Sequence, residues 1–169
     1  RACCHPSTLI FVSTQPTLWA ISDLHIGHTG NKPVTESLHP ASPDDWLIVA
    51  GDVAERTDDI RWSLDLLRRR FAKVIWVPGN HELWTTGKDP VQVFGRARYD
   101  YLVNMCDEMG VVTPEHPFPV WTEQGGPAVA PHRSGPERLP DLAAVETYHV
   151  DAFVVSTTET TIAIFARCP

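Results

Sequence analysis

The stretch WLIVAGDVAERTDDIRWSLDLLRRRFAKVIWVPGNHE, residues 46–82, decides the fold. Trp46 to Ala50 is a short apolar run that stops at Gly51-Asp52, as a strand does when both faces of a parallel sheet are covered. From Thr57 to Phe71 the apolar residues Ile60, Leu64, Leu67 and Phe71 recur at helical spacing, with Thr57 as the expected cap. Asp58 and Asp59 in the first turn and Arg68 to Arg70 in the last complement the helix dipole. Ala72 to Val77 then reads as a second strand, stopped by Pro78-Gly79. Strand, helix and strand with short links make a βαβ unit, whose strands run parallel and whose crossover is right-handed. Asp52 and Asn80 therefore leave the sheet at one edge, the edge where open α/β sheets bind ligands.

Upstream, Thr17 to Ser22 reads as a third buried strand, and Asp23 follows it directly. The polar residues Asp23, Asp52 and Asn80 are spaced 29 and 28 apart (52 minus 23, 80 minus 52), one βα repeat each. Downstream, Val91 to Met109 is expected to be helical with Gly110 as its stop, and Val111 to Thr113 to begin a short strand. Pro114 to Pro140 is rich in Pro and Gly and reads as loop. Ala152 to Val155 and Thr161 to Ala166 are expected to pair as a hairpin.

Bulk composition narrows the function classes. A chain of 169 residues, 43% hydrophobic and 21% charged, has room for one globular domain with a real core. Its formal charge of −7 repels a nucleic-acid backbone or an anionic membrane, which leaves a small anionic substrate if metal is present. Cys3, Cys4, Cys106 and Cys168 lack C-x-x-C spacing, so neither a zinc ribbon nor a disulfide framework is indicated and a cytoplasmic setting is expected. The run Leu9 to Val12 is too short for a secretory segment or a membrane span. Cys3-Cys4-His5 reads as a frayed terminus rather than a soft-metal site.

Taken singly, the candidate site residues are ambiguous. Asp23 and His25, two positions apart, can converge on one cation, yet such a pair is commonly just hydrogen bonded. Asp52 at the end of a buried run needs a partner; a cation is one, and a turn or helix cap is the plainer alternative. Asn80 offers an amide oxygen to a metal and amide hydrogens to a phosphate, His81 beside it can carry a proton, and Pro78-Gly79-Asn80 alone is equally a turn. Three such clusters after three strands favour one shared metal site.

The blocks Ser22-Asp23-Leu24-His25-Ile26-Gly27-His28, Ala50-Gly51-Asp52-Val53 and Pro78-Gly79-Asn80-His81-Glu82 resemble, in order and spacing, the first three signature blocks of the calcineurin-like metallophosphoesterases. The resemblance implies a four-layer α/β/β/α sandwich with two divalent metals at the strand ends, and hydrolysis of a phosphomonoester or phosphodiester; mixed oxygen and nitrogen ligands suit Mn²⁺, Fe²⁺ and Zn²⁺ alike. By position, it implies that Asp23 and His25 bind the first metal, Asp52 bridges both, Asn80 binds the second, and His81 is the general acid. Two carboxylates against two divalent cations leave a positive site that attracts a small phosphorylated substrate and acidifies a bound water.

The resemblance stops short of the family's later blocks. A distal histidine and a G-H-x-H motif are expected, and after His81 the histidines are His116, His132 and His149. His116 and His132 lie in Pro-rich loop context; His149 is the best substitute. The expected organisation is therefore a tail over residues 1–16, the metallophosphoesterase portion over 17–130, and an uncertain segment over 131–169, with the sandwich incomplete in its C-terminal half through truncation or a shifted frame. A non-catalytic fragment with weak metal binding is the competing expectation, and a nuclease of the same superfamily a weaker one that the charge opposes.

Overall fold

The computed structural model describes residues 15–117 and 119–123 in full, together with the backbone strands Ala128–Val129, Phe153–Ser156 and Thr161–Ile164. His132, His149, Cys3, Cys4, His5, Cys168 and, apart from those last two strands, the rest of the 131–169 segment lie outside the described residues. The described elements are β1 (Leu18–Ile21), α1 (Lys32–Ser37), β2 (Trp46–Ala50), α2 (Thr57–Arg68), β3 (Lys73–Val77), α3 (Asn80–Leu83), α4 (Gly95–Met109), β4 (Val120–Trp121), β5 (Ala128–Val129), β6 (Phe153–Ser156) and β7 (Thr161–Ile164). Among the described residues no helix is long and apolar enough to cross a membrane.

β1, β2 and β3 form a parallel sheet with β2 in the middle, Ala20 opposite Ile48 and Ile48 opposite Ile75. Because side chains alternate along a strand, β2 and β3 each feed two layers. Leu47, Val49, Val74 and Trp76 face Ile60, Leu64 and Leu67 of α2 and Leu102, Met105 and Cys106 of α4 in one core. Ile48, Ala50, Ile75 and Val77 face the other way, against Trp121 of β4. The sheet is thus covered by helices on one side and by a strand of a second, antiparallel β4–β5 sheet on the other, a layered mixed α/β fold.

β1 departs from the expectation of a strand covered on both faces. As the outer strand of the three it leaves Trp19 and Ala20 exposed. Its start is pinned instead by buried Asp45, which accepts from Thr17 N at 2.7 Å and from the Trp19 indole at 2.8 Å. α2 also begins differently: Thr57 is its first residue, and the buried carboxylate of Asp89 takes the Thr57 N–H and hydroxyl at 2.9 and 2.8 Å, capping the helix from outside. α4 starts at Gly95 rather than Val91, since the Val91 N–H is drawn to Asp89 at 2.8 Å and β-branched Val91 and Val93 favour extended chain. Gly110 ends α4 in the left-handed conformation, φ +70°, as a helix stop requires. Val112 makes a single parallel bridge to Ile75, the start of strand expected there. The Pro-rich stretch read as loop contributes β4 and β5, whose short pairing its composition conceals. β6 and β7 pair antiparallel, as the hairpin pattern predicts.

Candidate metal centre

Parallel strands deliver their carboxyl ends to one edge, and backbone bonds carry the pairing past that edge. Asp23 N donates to Gly51 O at 3.2 Å, His25 N to Asp52 O at 2.9 Å and Ile26 N to Val53 O at 3.0 Å. The loop after β1 is thereby zipped to the loop after β2, which brings Asp23 and His25 alongside Asp52. The Asn31 side-chain amide braces the same loop through Leu24 O and His25 O at 3.1 and 3.2 Å.

The loops after β2 and β3 approach almost to contact. A Cβ on Gly51 would lie 2.6 Å from Gly79 N, and one on Gly79 would lie 2.1 Å from Asp52 Oδ1. Glycine at both positions is what allows the two turns to touch. The buried Glu82 carboxylate then ties them: Oε2 accepts from Asp52 N at 3.0 Å and Gly79 N at 2.9 Å, and Oε1 from Val53 N at 2.7 Å. Burial pushes the Glu82 carboxyl up to about 7; the nearby Asp52 charge adds to the rise, and the N–H bonds from Val53 and Asp52 oppose it.

Ligand atoms of His25, Asp52 and His81 lie within 4.8 Å of one another, a group with the spacing of a cation site. Asp52 is buried, and its Oδ1 accepts from His81 N at 3.2 Å. Asp23 is exposed, with Oδ1 3.7 Å from His25 Nε2, at the margin of the group. Asn80 is the first residue of α3, half-buried beside His81. The His25 and His81 rings stand edge to face with centroids 4.6 Å apart, and Trp84 lies against His81 at 4.1 Å. His81 Nδ1 is buried without a hydrogen bond, 3.4 Å from Glu55 Oε1. His116 sits elsewhere, folded onto the end of α4 by Asp107 and Thr113.

Three non-glycine residues have positive φ among the described residues: Asp23 (+56°), His25 (+40°) and Asp52 (+54°). Each costs on the order of 1–3 kcal/mol, and such strain collects where a site must be aimed. That all three are candidate ligands ties the strained backbone to this edge of the sheet. Two imidazoles and a carboxylate form a mixed nitrogen and oxygen donor set that suits a divalent transition metal, and the unbonded His81 nitrogen is a further group awaiting a partner.

Sequence reasoning passed over three supports of this edge. Glu82 stood inside the quoted Gly-Asn-His-Glu block with no role assigned. Arg98 and Asp89, both buried, form an ion pair at 3.0 Å. Arg98 also donates Nε to Glu82 O at 2.9 Å and Nη2 to Glu55 O at 2.8 Å, so α4 ties the loop after β2 to the residue that follows His81. Only the helical face that Arg98 shares with Leu102 and Met105 hinted at its burial.

A family model described as Calcineurin-like phosphoesterase matches residues 16–157. A relative from Mycobacterium tuberculosis (strain ATCC 25618 / H37Rv), acyl-carrier-protein phosphodiesterase PptH, is 88% identical over 117 residues, covering 69% of this chain and 36% of that protein. The crystal structure of Phosphopantetheinyl Hydrolase (PptH) from Mycobacterium tuberculosis is similar with a TM-score of 0.69 and 87% identity, over 70% of this chain and 42% of that one. The chain therefore spans about a third of the curated relative's length.

Proposed function

The chain belongs to the calcineurin-like phosphoesterase family, and we propose that it carries the metal centre of a phosphodiesterase acting on a phosphopantetheinylated acyl carrier protein. The observation that supports this most is the convergence of His25, Asp52 and His81 at one sheet edge; the substrate follows the relatives' names. Asp23 and His25 would hold one divalent ion, Asp52 would lie between two, and Asn80 would serve the second. Mn²⁺, Fe²⁺ and Zn²⁺ all suit the donor set. When bound, such ions supply positive charge to the phosphoryl oxygens and lower the pKa of a coordinated water.

The chain's own residues do the rest. Asp52, held by the His81 N–H and backed by Glu82 through its own N–H, presents its carboxylate in a fixed direction. His81 is the proton donor to the departing ester oxygen, its ring confined by His25 and Trp84. Its Nδ1 lies 3.4 Å from the Glu55 carboxylate, which holds the ring in one orientation.

The test is to load the purified protein with Mn²⁺, add phosphopantetheinylated acyl carrier protein, and follow loss of the arm by mass spectrometry. Release that disappears in Asp52→Ala supports the reading. A cooperatively folded, metal-loaded protein that leaves the ester intact rejects it. A second reading, metal binding without turnover, is supported by the count of donors: among the described residues the close group offers three ligand atoms, enough for one ion completed by water. One ion per chain with no product would favour that reading.

A further inference from the structure

Five large apolar side chains are exposed among the described residues, and of these Trp84 has its ring against a site residue. It is held to His81 twice: its backbone N–H donates to the His81 backbone carbonyl at 3.2 Å, and its ring lies obliquely against the imidazole at 41°. His25 also stands against the His81 ring, edge to face. The indole is therefore a fixed wall of the site, and 38% of the residue still faces solvent. A wall needed only to steady His81 would gain by full burial; the open surface is apolar area that a ligand can cover.

The chemistry of the proposed substrate supplies a matching group. To donate a proton, His81 must lie within hydrogen-bond reach of the phosphodiester. In phosphopantetheine the carbon one methylene beyond the ester oxygen is quaternary and carries two methyl groups. That branched carbon is thus tethered close to His81, and the indole beside His81 is an apolar surface at that range. We propose that Trp84 is a specificity residue whose open face packs against this dimethyl carbon. The inference rests on the substrate reading given above and adds the element that recognises the arm.

The experiment compares wild type, Trp84→Ala and Trp84→Phe on two esters, phosphopantetheinylated acyl carrier protein and methyl nitrophenyl phosphate, which lacks the branched carbon. Two methyl groups at the usual transfer value predict that kcat/KM for the carrier protein falls about tenfold more than for the small ester in Trp84→Ala, with most of the difference restored in Trp84→Phe. Equal losses on both esters, or none on either, overturn the proposal. A second measurement reads the contact without turnover: saturation-transfer NMR on Zn²⁺-loaded protein with free phosphopantetheine. Transfer from aromatic protons to the two methyl signals, lost in Trp84→Ala, is expected; methyls that receive none in wild type overturn it. If wild type cleaves only the small ester, the substrate reading fails by itself, and the NMR contact still decides the role of Trp84.

Discussion

Gly79→Ala isolates the close approach on which the site is built. The backbone at Gly79 has φ −86° and ψ −171°, which any residue adopts, so the substitution carries no conformational penalty. Its cost is steric. The new Cβ would stand 2.1 Å from Asp52 Oδ1 and 2.6 Å from Asp52 N. Ordinary contact begins near 3.4 Å, so Asp52 must retreat by roughly 1.3 Å (3.4 minus 2.1). Overpacking of this kind costs about 1–3 kcal/mol, which at about 4 °C per kcal/mol lowers the unfolding midpoint by roughly 4–12 °C. Displacing a ligand by that distance should weaken divalent-metal affinity by about 10–100-fold. Gly27→Ala is the control, because a Cβ there meets nothing within 4 Å although Gly27 lies two residues from His25. Isothermal titration with Mn²⁺ and thermal unfolding by circular dichroism read both effects. The reasoning is refuted if Gly79→Ala binds Mn²⁺ as tightly as Gly27→Ala.

Three further outcomes follow from the same geometry. Asp52→Ala should abolish stoichiometric Mn²⁺ binding measured by elemental analysis after gel filtration, while retaining the far-ultraviolet spectrum of the parent. Arg98→Ala leaves buried Asp89 unpaired and should cost about 3–5 kcal/mol in urea unfolding; a change below about 1 kcal/mol would contradict the role given to the pair. Burial by itself raises the Asp89 carboxyl, but bonds from Val91, Thr57 and Arg98 bring it below its ordinary 3.8. A carboxyl lowered on folding adds stability above that value and loses it as pH falls through the folded value. The stability gap between parent and Asp89→Asn should therefore be full at pH 6 and shrink below about pH 3.8; a gap that is constant with pH would show that Asp89 acts through shape alone.

How much of this was legible in the sequence depended on whether the signal was local. β2, α2 and β3 were readable because apolar runs and helical spacing are properties of adjacent residues, and their parallel pairing followed from the length of the link. That put Asp52 and Asn80 at one edge. The order of Asp23, Asp52 and Asn80 after successive strands added the third loop. What escaped depends on residues far apart in the chain. Asp89 caps α2 from 32 residues away, and Thr57 looked like the cap because a local reading must choose a local acceptor. Glu82 and Arg98 are charged and look like surface residues; each is buried because backbone groups from distant loops satisfy it. α1, six residues with a proline in its first turn and no apolar period, gave no helical pattern to find. The positive φ angles at Asp23, His25 and Asp52 are not readable from residue type, because Asp and His are enriched in that conformation yet adopt it at only a minority of positions.

The proposed metal centre requires a cation at the sheet edge where His25, Asp52 and His81 meet. Anomalous X-ray diffraction at the manganese edge from a Mn²⁺-soaked crystal tests it most directly. A manganese peak is expected beside the Asp52 carboxylate, within about 2.0–2.3 Å of oxygen and nitrogen ligands from the loops after β1, β2 and β3. A manganese peak bound elsewhere, with those three loops holding none, would contradict it.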